Sequence, residues 1–153
     1  YPAVDNIYYF SWGTQDTLAG PLGGRHVPGT GMNLALIAPA VAIGGYLKTT
    51  PLEPGLPDLD RTWWPNDGVV NTISMSGPKI GSRDPIINPG YGAEPPVIKP
   101  GIWHFMGVLA GWDHLDVVGL QTGKDYREFY LKLAQRLATL PPAAPTNTVA
   151  APW

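Results

Sequence analysis

The sequence predicts an α/β fold, on three observations. Two short apolar runs, residues 4–12 and 102–110, read as buried strands. Residues 32–46 and 126–140 read as helices, the first apolar almost all round and the second amphipathic. The segments between them are long loops, and the chain carries 19 Gly and 18 Pro in 153 residues. The order strand, loop, helix, loop, strand, loop, helix suits an α/β sheet protein. In parallel sheets, ligands gather at the carboxyl ends of the strands, where such loops begin.

Residues 4–12 (VDNIYYFSW) are rich in aromatic and β-branched side chains, which favour a pleated, half-buried surface. Residues 13–31 read as a loop, with Gly20, Pro21, Gly23, Gly24, Pro28 and Gly29. Residues 32–46 (MNLALIAPAVAIGGY) form a buried helix interrupted by Pro39. Residues 48–65 are a second Pro-rich loop, and 69–75 (VVNTISM) a short strand or extended segment. Residues 76–101 are loop again, followed by the strand at 102–110 (IWHFMGVLA). Thr122 and Asp125 form a capping-box-like pair ahead of the last helix. There Tyr126, Phe129, Tyr130, Leu133, Leu137 and Leu140 recur at spacings of three and four until Pro141-Pro142 stops the helix. One folded unit over 1–140 and a flexible Pro/Ala tail over 141–153 are expected.

Composition excludes several functions. Ten Lys and Arg against twelve Asp and Glu leave a net charge of −2, with no basic patch for nucleic acid. Zero cysteines rule out disulfides, thiol catalysis and Cys-ligated zinc. No apolar run is long enough for a membrane span. Six Trp and seven Tyr supply apolar mass that disordered chains lack. The start, Tyr1-Pro2-Ala3, has neither the basic n-region nor the apolar h-region of a signal peptide, so a mature or cleaved product is expected.

Two residues stand out as chemistry-bearing. Asp67 lies in Trp63-Trp64-Pro65-Asn66-Asp67-Gly68, where bulky neighbours favour a partly desolvated carboxylate in a fixed direction. An ordinary Asn-Asp-Gly turn has the same pattern. His114 lies in Gly111-Trp112-Asp113-His114-Leu115-Asp116, just past a strand, a place that suits a general base and equally a surface-loop histidine. His104 reads as a packed strand residue, and His26 lies in a Gly/Pro loop with no partner spacing. Glu53, Asp58 and Asp60 read as a solvent-facing acidic cluster. None of Ser11, Ser74, Ser76 and Ser82 lies in a G-x-S-x-G elbow, although Ser76 precedes a glycine. No phosphate-binding loop and no H-E-x-x-H motif occurs.

The segment Asn66-Asp67-Gly68-Val69-Val70-Asn71-Thr72-Ile73-Ser74-Met75-Ser76-Gly77-Pro78-Lys79 resembles the secreted lipases of the thermophilic bacillus and staphylococcal type. The resemblance extends in order through Tyr8-Tyr9-Phe10-Ser11, Gly31-Met32-Asn33, Gly101-Ile102-Trp103, Trp112-Asp113-His114-Leu115-Asp116-Val117-Val118-Gly119 and the last helix. It implies the C-terminal part of an α/β-hydrolase fold, in which triad residues follow the order Ser, Asp, His. Asp67 then corresponds to the triad acid and His114 to the triad base. The nucleophilic serine, the oxyanion donors and the zinc subdomain of some members lie upstream in the family.

The resemblance also implies a structural calcium. The Gly31 carbonyl and Asp116 take two ligand positions, Gln121 stands where the family has a carboxylate, and a carbonyl near Thr122 contributes; the alternative is that Asp116 only accepts backbone hydrogen bonds. The expectation is a secreted, extracellular fragment of a triacylglycerol lipase or other carboxylic ester hydrolase. Its partners are an N-terminal lipase portion carrying the serine and a lipid ester substrate, and the isolated chain is expected to be inactive. The alternatives are a non-catalytic binding or inhibitory fragment and a degenerate domain that only binds lipid.

Overall fold

A three-stranded parallel sheet organises the chain, made by β1 (Tyr9–Gln15), β4 (Ile86–Ile87) and β5 (Trp103–Ala110), with β5 in the middle. The computed structural model describes residues 2–48, 54–79, 81–88, 97–120 and 123–142. His104 to Gly107 of β5 are all buried, as expected of a central strand covered on both faces. Tyr9 pairs with Trp103 and Ser11 with Phe105, but Gly13 pairs with Val108. One extra residue is therefore inserted in β5, a β-bulge, and Gly107 sits in it at φ +107°, which only glycine adopts cheaply. The two strands finish together: Gln15 pairs with Ala110, and the Gly111 N–H donates to the Gln15 carbonyl at 2.7 Å. The loops after β1 and β5 thus leave from the same carboxyl edge.

Several boundaries differ from the sequence expectation. Residues 4–8 precede the strand, because Asp5-Asn6 turns the chain and Ile7 bonds back to the Val4 carbonyl. The expected loop over 13–31 contains an antiparallel hairpin, β2 (Thr17–Gly20) and β3 (Gly24–Pro28), turned by Pro21–Gly23, and His26 lies on β3. Residues 69–75 supply no strand. Thr72–Ser76 is a 3-10 helix, in which the hydroxyls of Ser74 and Ser76 donate to the carbonyls of Asn71 and Ile73. Hydroxyls that return to their own backbone in this way favour turns over sheet ladders.

The helices form where expected. α1 (Leu34–Ile43) starts at Asn33, whose side chain accepts from the Ala35 N–H, tolerates Pro39 and stops at Gly44. α2 (Tyr126–Ala138) is capped by Asp125, which accepts from the Glu128 N–H, so the N-cap is Asp125; Thr122 lies outside the described residues. The Tyr8 hydroxyl donates to the Pro141 carbonyl. Most of the expected tail, 143–153, also lies outside the described residues. Met32, Leu36 and Ala40 form the main apolar cluster with Leu115 against it, so α1 packs on the loop that follows β5. Among the described residues no helix is long and apolar enough to cross a membrane.

Candidate active site

Asp67 is placed by its neighbour Asn66. The Asn66 side chain is fully buried, donates to the carbonyls of Ala40 (3.2 Å) and Trp64 (2.8 Å), and accepts from the Gly68 N–H (2.9 Å). The Asn66 backbone is tied to the start of the hairpin: its carbonyl accepts from Asp16 N and Thr17 Oγ1, and its N–H donates to Thr17 Oγ1. The turn then needs a left-handed residue that fits under α1. Gly68 has φ +97°, and a Cβ there would lie 2.7 Å from Leu36 Cβ.

The Asp67 carboxylate receives four donors. Oδ1 accepts from Val69 N (3.0 Å) and Val70 N (2.8 Å). Oδ2 accepts from Thr14 Oγ1 at 2.7 Å and lies 2.9 Å from His114 Nδ1. The His114 N–H also donates to the Asp67 carbonyl at 2.9 Å, so the two residues are joined through backbone as well as side chain. Asp67 is 1% exposed and the His114 side chain 45%, so a buried acid faces a half-open imidazole. Apart from this bond, His114 has no side-chain hydrogen-bond partner among the described residues. An apolar crevice of about 300 Å³ runs beside the pair, with Trp12, Val70, Met75, Leu109, Val117 and Phe129 in its wall.

The loop carrying His114 is built on Asp113, which is fully buried. Its Oδ1 accepts from the N–H groups of Leu115 and Asp116, and its Oδ2 from Asn33 N at 2.8 Å. Asp116 is also buried, and its Oδ2 accepts from Asp113 N at 2.9 Å. Asp16, directly after β1, is a third buried acid, and its Oδ2 has no hydrogen-bond partner among the described residues. Burial, then the charge of Asp113, pushes the Asp16 carboxyl above the usual range; Lys124 partly opposes the rise and Asp116 adds to it. Burial likewise raises Asp116, opposed by the Asp113 N–H.

The expected sites are thus distributed unevenly. Asp67 and His114 come together. Gly31 and Asp116 are described, whereas Gln121 and Thr122 lie outside the described residues. Among the described residues no group of three or more His, Asp or Glu side chains is arranged to hold a metal ion. His104 is fully buried in β5, accepts from Lys99 N at Nε2 and holds Nδ1 3.3 Å from the Tyr9 carbonyl, as a packed strand histidine should. His26 meets Thr17 Oγ1 at 3.2 Å, and burial lowers its pKa. Asp58 and Asp60 are exposed, and Glu53 is not described. Thr14, Asp16 and Asp113 were missed. Their signal was a polar run, Gly13-Thr14-Gln15-Asp16-Thr17, directly after an aromatic strand, and a second acid inside the histidine motif.

Known proteins share this arrangement of chain. The sequence is 31% identical over 130 residues to Lipase 2 of Staphylococcus aureus, a match that covers 85% of this chain and 16% of that protein. The fold is similar to EstA from Clostridium botulinum, with a TM-score of 0.77 and 36% identity over 94% of this chain and 31% of that one. It is also similar to lipase 1 from Pelosinus fermentans (TM-score 0.68, 35% identity, 92% of this chain and 34% of that one). For the Staphylococcus hyicus lipase the values are 0.64, 26%, 89% and 32%. No family model matches the chain. It spans about a third or less of the length of each of these proteins. Shared sequence and shared fold make the chain a relative of the bacterial lipases, one that corresponds to the C-terminal part of their α/β fold.

Proposed function

We propose that this chain supplies the acid and the base of a Ser-Asp-His ester hydrolase acting on lipid esters, with the nucleophilic serine on a separate, N-terminal portion of the lipase. The observation that carries the reading is the 2.9 Å contact between His114 Nδ1 and Asp67 Oδ2. With Nδ1 committed to the acid, Nε2 is the nitrogen left to take the serine proton and return it to the leaving alcohol. The carboxylate holds that tautomer and stabilises the imidazolium. The apolar crevice beside His114 suits an acyl chain or the apolar flank of the serine-bearing portion. Among the described residues no serine hydroxyl bonds His114; those of Ser11, Ser74 and Ser76 donate to backbone carbonyls, and that of Ser82 accepts from Asp84 N. The same reading makes the protein extracellular.

Calcium is the cofactor we propose. Asp16 Oδ2, unpartnered among the described residues, and a second buried acid, Asp116, together suit a hard cation, with the Gly31 carbonyl as the further ligand that the lipase resemblance implies. A bound cation would supply the positive charge that fixes these acids, and with them the loop carrying His114.

The test is a chimaera in which these 153 residues replace the part of EstA that they match. The chimaera should hydrolyse a chromogenic fatty ester, and His114→Ala should lower turnover about 10⁴-fold or more. The chain alone should show neither hydrolysis nor labelling by a serine-directed phosphonate. A His114→Ala chimaera as active as its parent rules the reading out. So does strong activity of the 153-residue chain by itself, and Ser76 would then be the first serine to replace.

A further inference from the structure

We propose that Thr14 is a positioning residue for the Asp67–His114 pair, its hydroxyl clamping the carboxylate oxygen on which the imidazole rests. The inference builds on the proposed acid–base role of that pair. Thr14 lies near the end of β1, paired with Leu109 of β5, and is 6% exposed. Its backbone is held on a second side, where its carbonyl accepts from Thr72 Oγ1 at 2.8 Å. Its hydroxyl has two neighbours: Asp67 Oδ2 at 2.7 Å and Met75 Sδ at 3.4 Å. A thioether is a weak acceptor, so the single hydroxyl proton goes to the carboxylate.

The need for that proton follows from the division of donors on Asp67. Both backbone donors, Val69 N and Val70 N, reach Oδ1 only. Anchored at one oxygen, an aspartate can still swing its other oxygen, because the terminal torsion of Asp is broad. Oδ2 is the oxygen that meets His114 Nδ1, and Thr14 is the donor besides His114 that holds it. The β1–β5 ladder thereby sets the angle at which the imidazole leaves the loop. Valine has the shape of threonine without the proton; serine keeps the proton without the methyl group.

Two measurements test this. In the 153-residue chain, the His114 Nδ1–H resonance should appear at low field in proton NMR, shift upfield or broaden away in Thr14→Val, and return in Thr14→Ser. In the chimaera, Thr14→Val should lower kcat about tenfold to a hundredfold, through misorientation of the base. KM should change less than kcat, and Thr14→Ser should recover most of the rate. If Thr14→Val does not fold, Thr14→Ala replaces it in the comparison with Thr14→Ser. A Thr14→Val protein with parental resonance and kcat overturns the proposal, and so does a Thr14→Ser protein no better than the hydroxyl-less variant. Failure of the acid–base reading shows separately, as an active His114→Ala chimaera, while the resonance still reports whether Thr14 orients the pair.

Discussion

Asn66 and Asp67 are adjacent, both fully buried, and use their polar atoms in different ways. The Asn66 side chain satisfies three backbone groups, one on α1 and two in its own loop, whereas Asp67 gathers four donors onto one carboxylate. Asn66→Ala would leave the Gly68 N–H without its acceptor and the Ala40 and Trp64 carbonyls without the amide donor. A destabilisation of about 2–3 kcal/mol is expected, read as a lower midpoint in urea unfolding. A change below about 0.5 kcal/mol, the scale of ordinary surface substitutions, would show that solvent replaces those bonds. Local pattern made Asp67 and His114 candidates but left each with two readings, and the lipase resemblance separated them. For Thr14 the polar run after the aromatic strand was the only signal, and it did not give the role, which depends on a contact with a residue 53 positions away that no local spacing encodes.

The loop between β5 and α2 is held by both kinds of element around it. Asp113 ties it to the first residue before α1, and the His114 N–H ties it to the turn after Asn66. Compensation is only partial for Asp116 in this loop and for Asp16 after β1: burial pushes both toward protonation, opposed by Lys124 and, at Asp116, by the Asp113 N–H. At calcium a hundredfold above Kd, linkage adds about 2.7 kcal/mol, so the melting temperature should rise by about 5–10 °C over the value in chelator. Asp16→Asn should abolish most of that rise and raise the melting temperature in chelator, since it removes a buried charge that is only partly compensated. Equal melting curves with and without calcium would remove the cation from the reading. At this scale α2 was legible, because a three-and-four spacing over four turns has no strand counterpart. The β2–β3 hairpin was not, because Gly and Pro punctuate a tight turn and an irregular loop alike. The 3-10 helix at Thr72–Ser76 was masked by β-branched residues that read equally well as a strand.

At the scale of the whole molecule, the sheet and α1 present more apolar surface than the chain covers. α1 is apolar on every side, a composition that belongs in an interior, yet only Leu36 and Ala40 of its ten residues are buried. Leu34 is 84% exposed, and Ile37 and Val41 are open beside it. β1 pairs with β5 on one side, and among the described residues no strand pairs with its other edge. An unpaired parallel strand edge and an exposed apolar helix face are each templates for association. The lipases this chain resembles are each about three times its length or longer, which supplies a source of cover. Sedimentation of the 153-residue chain should therefore show association that grows with concentration, and the EstA chimaera should sediment as a monomer under the same conditions. Leu34→Glu combined with Ile37→Glu should weaken association of the chain, because a charge in the centre of an apolar contact must be desolvated without a partner. The same pair should harm the folding of the chimaera if its added portion covers α1. A chain that stays monomeric at every concentration, with the low-field His114 resonance intact, would show that these 153 residues bury enough by themselves, and the exposed face of α1 would then need no partner to explain it.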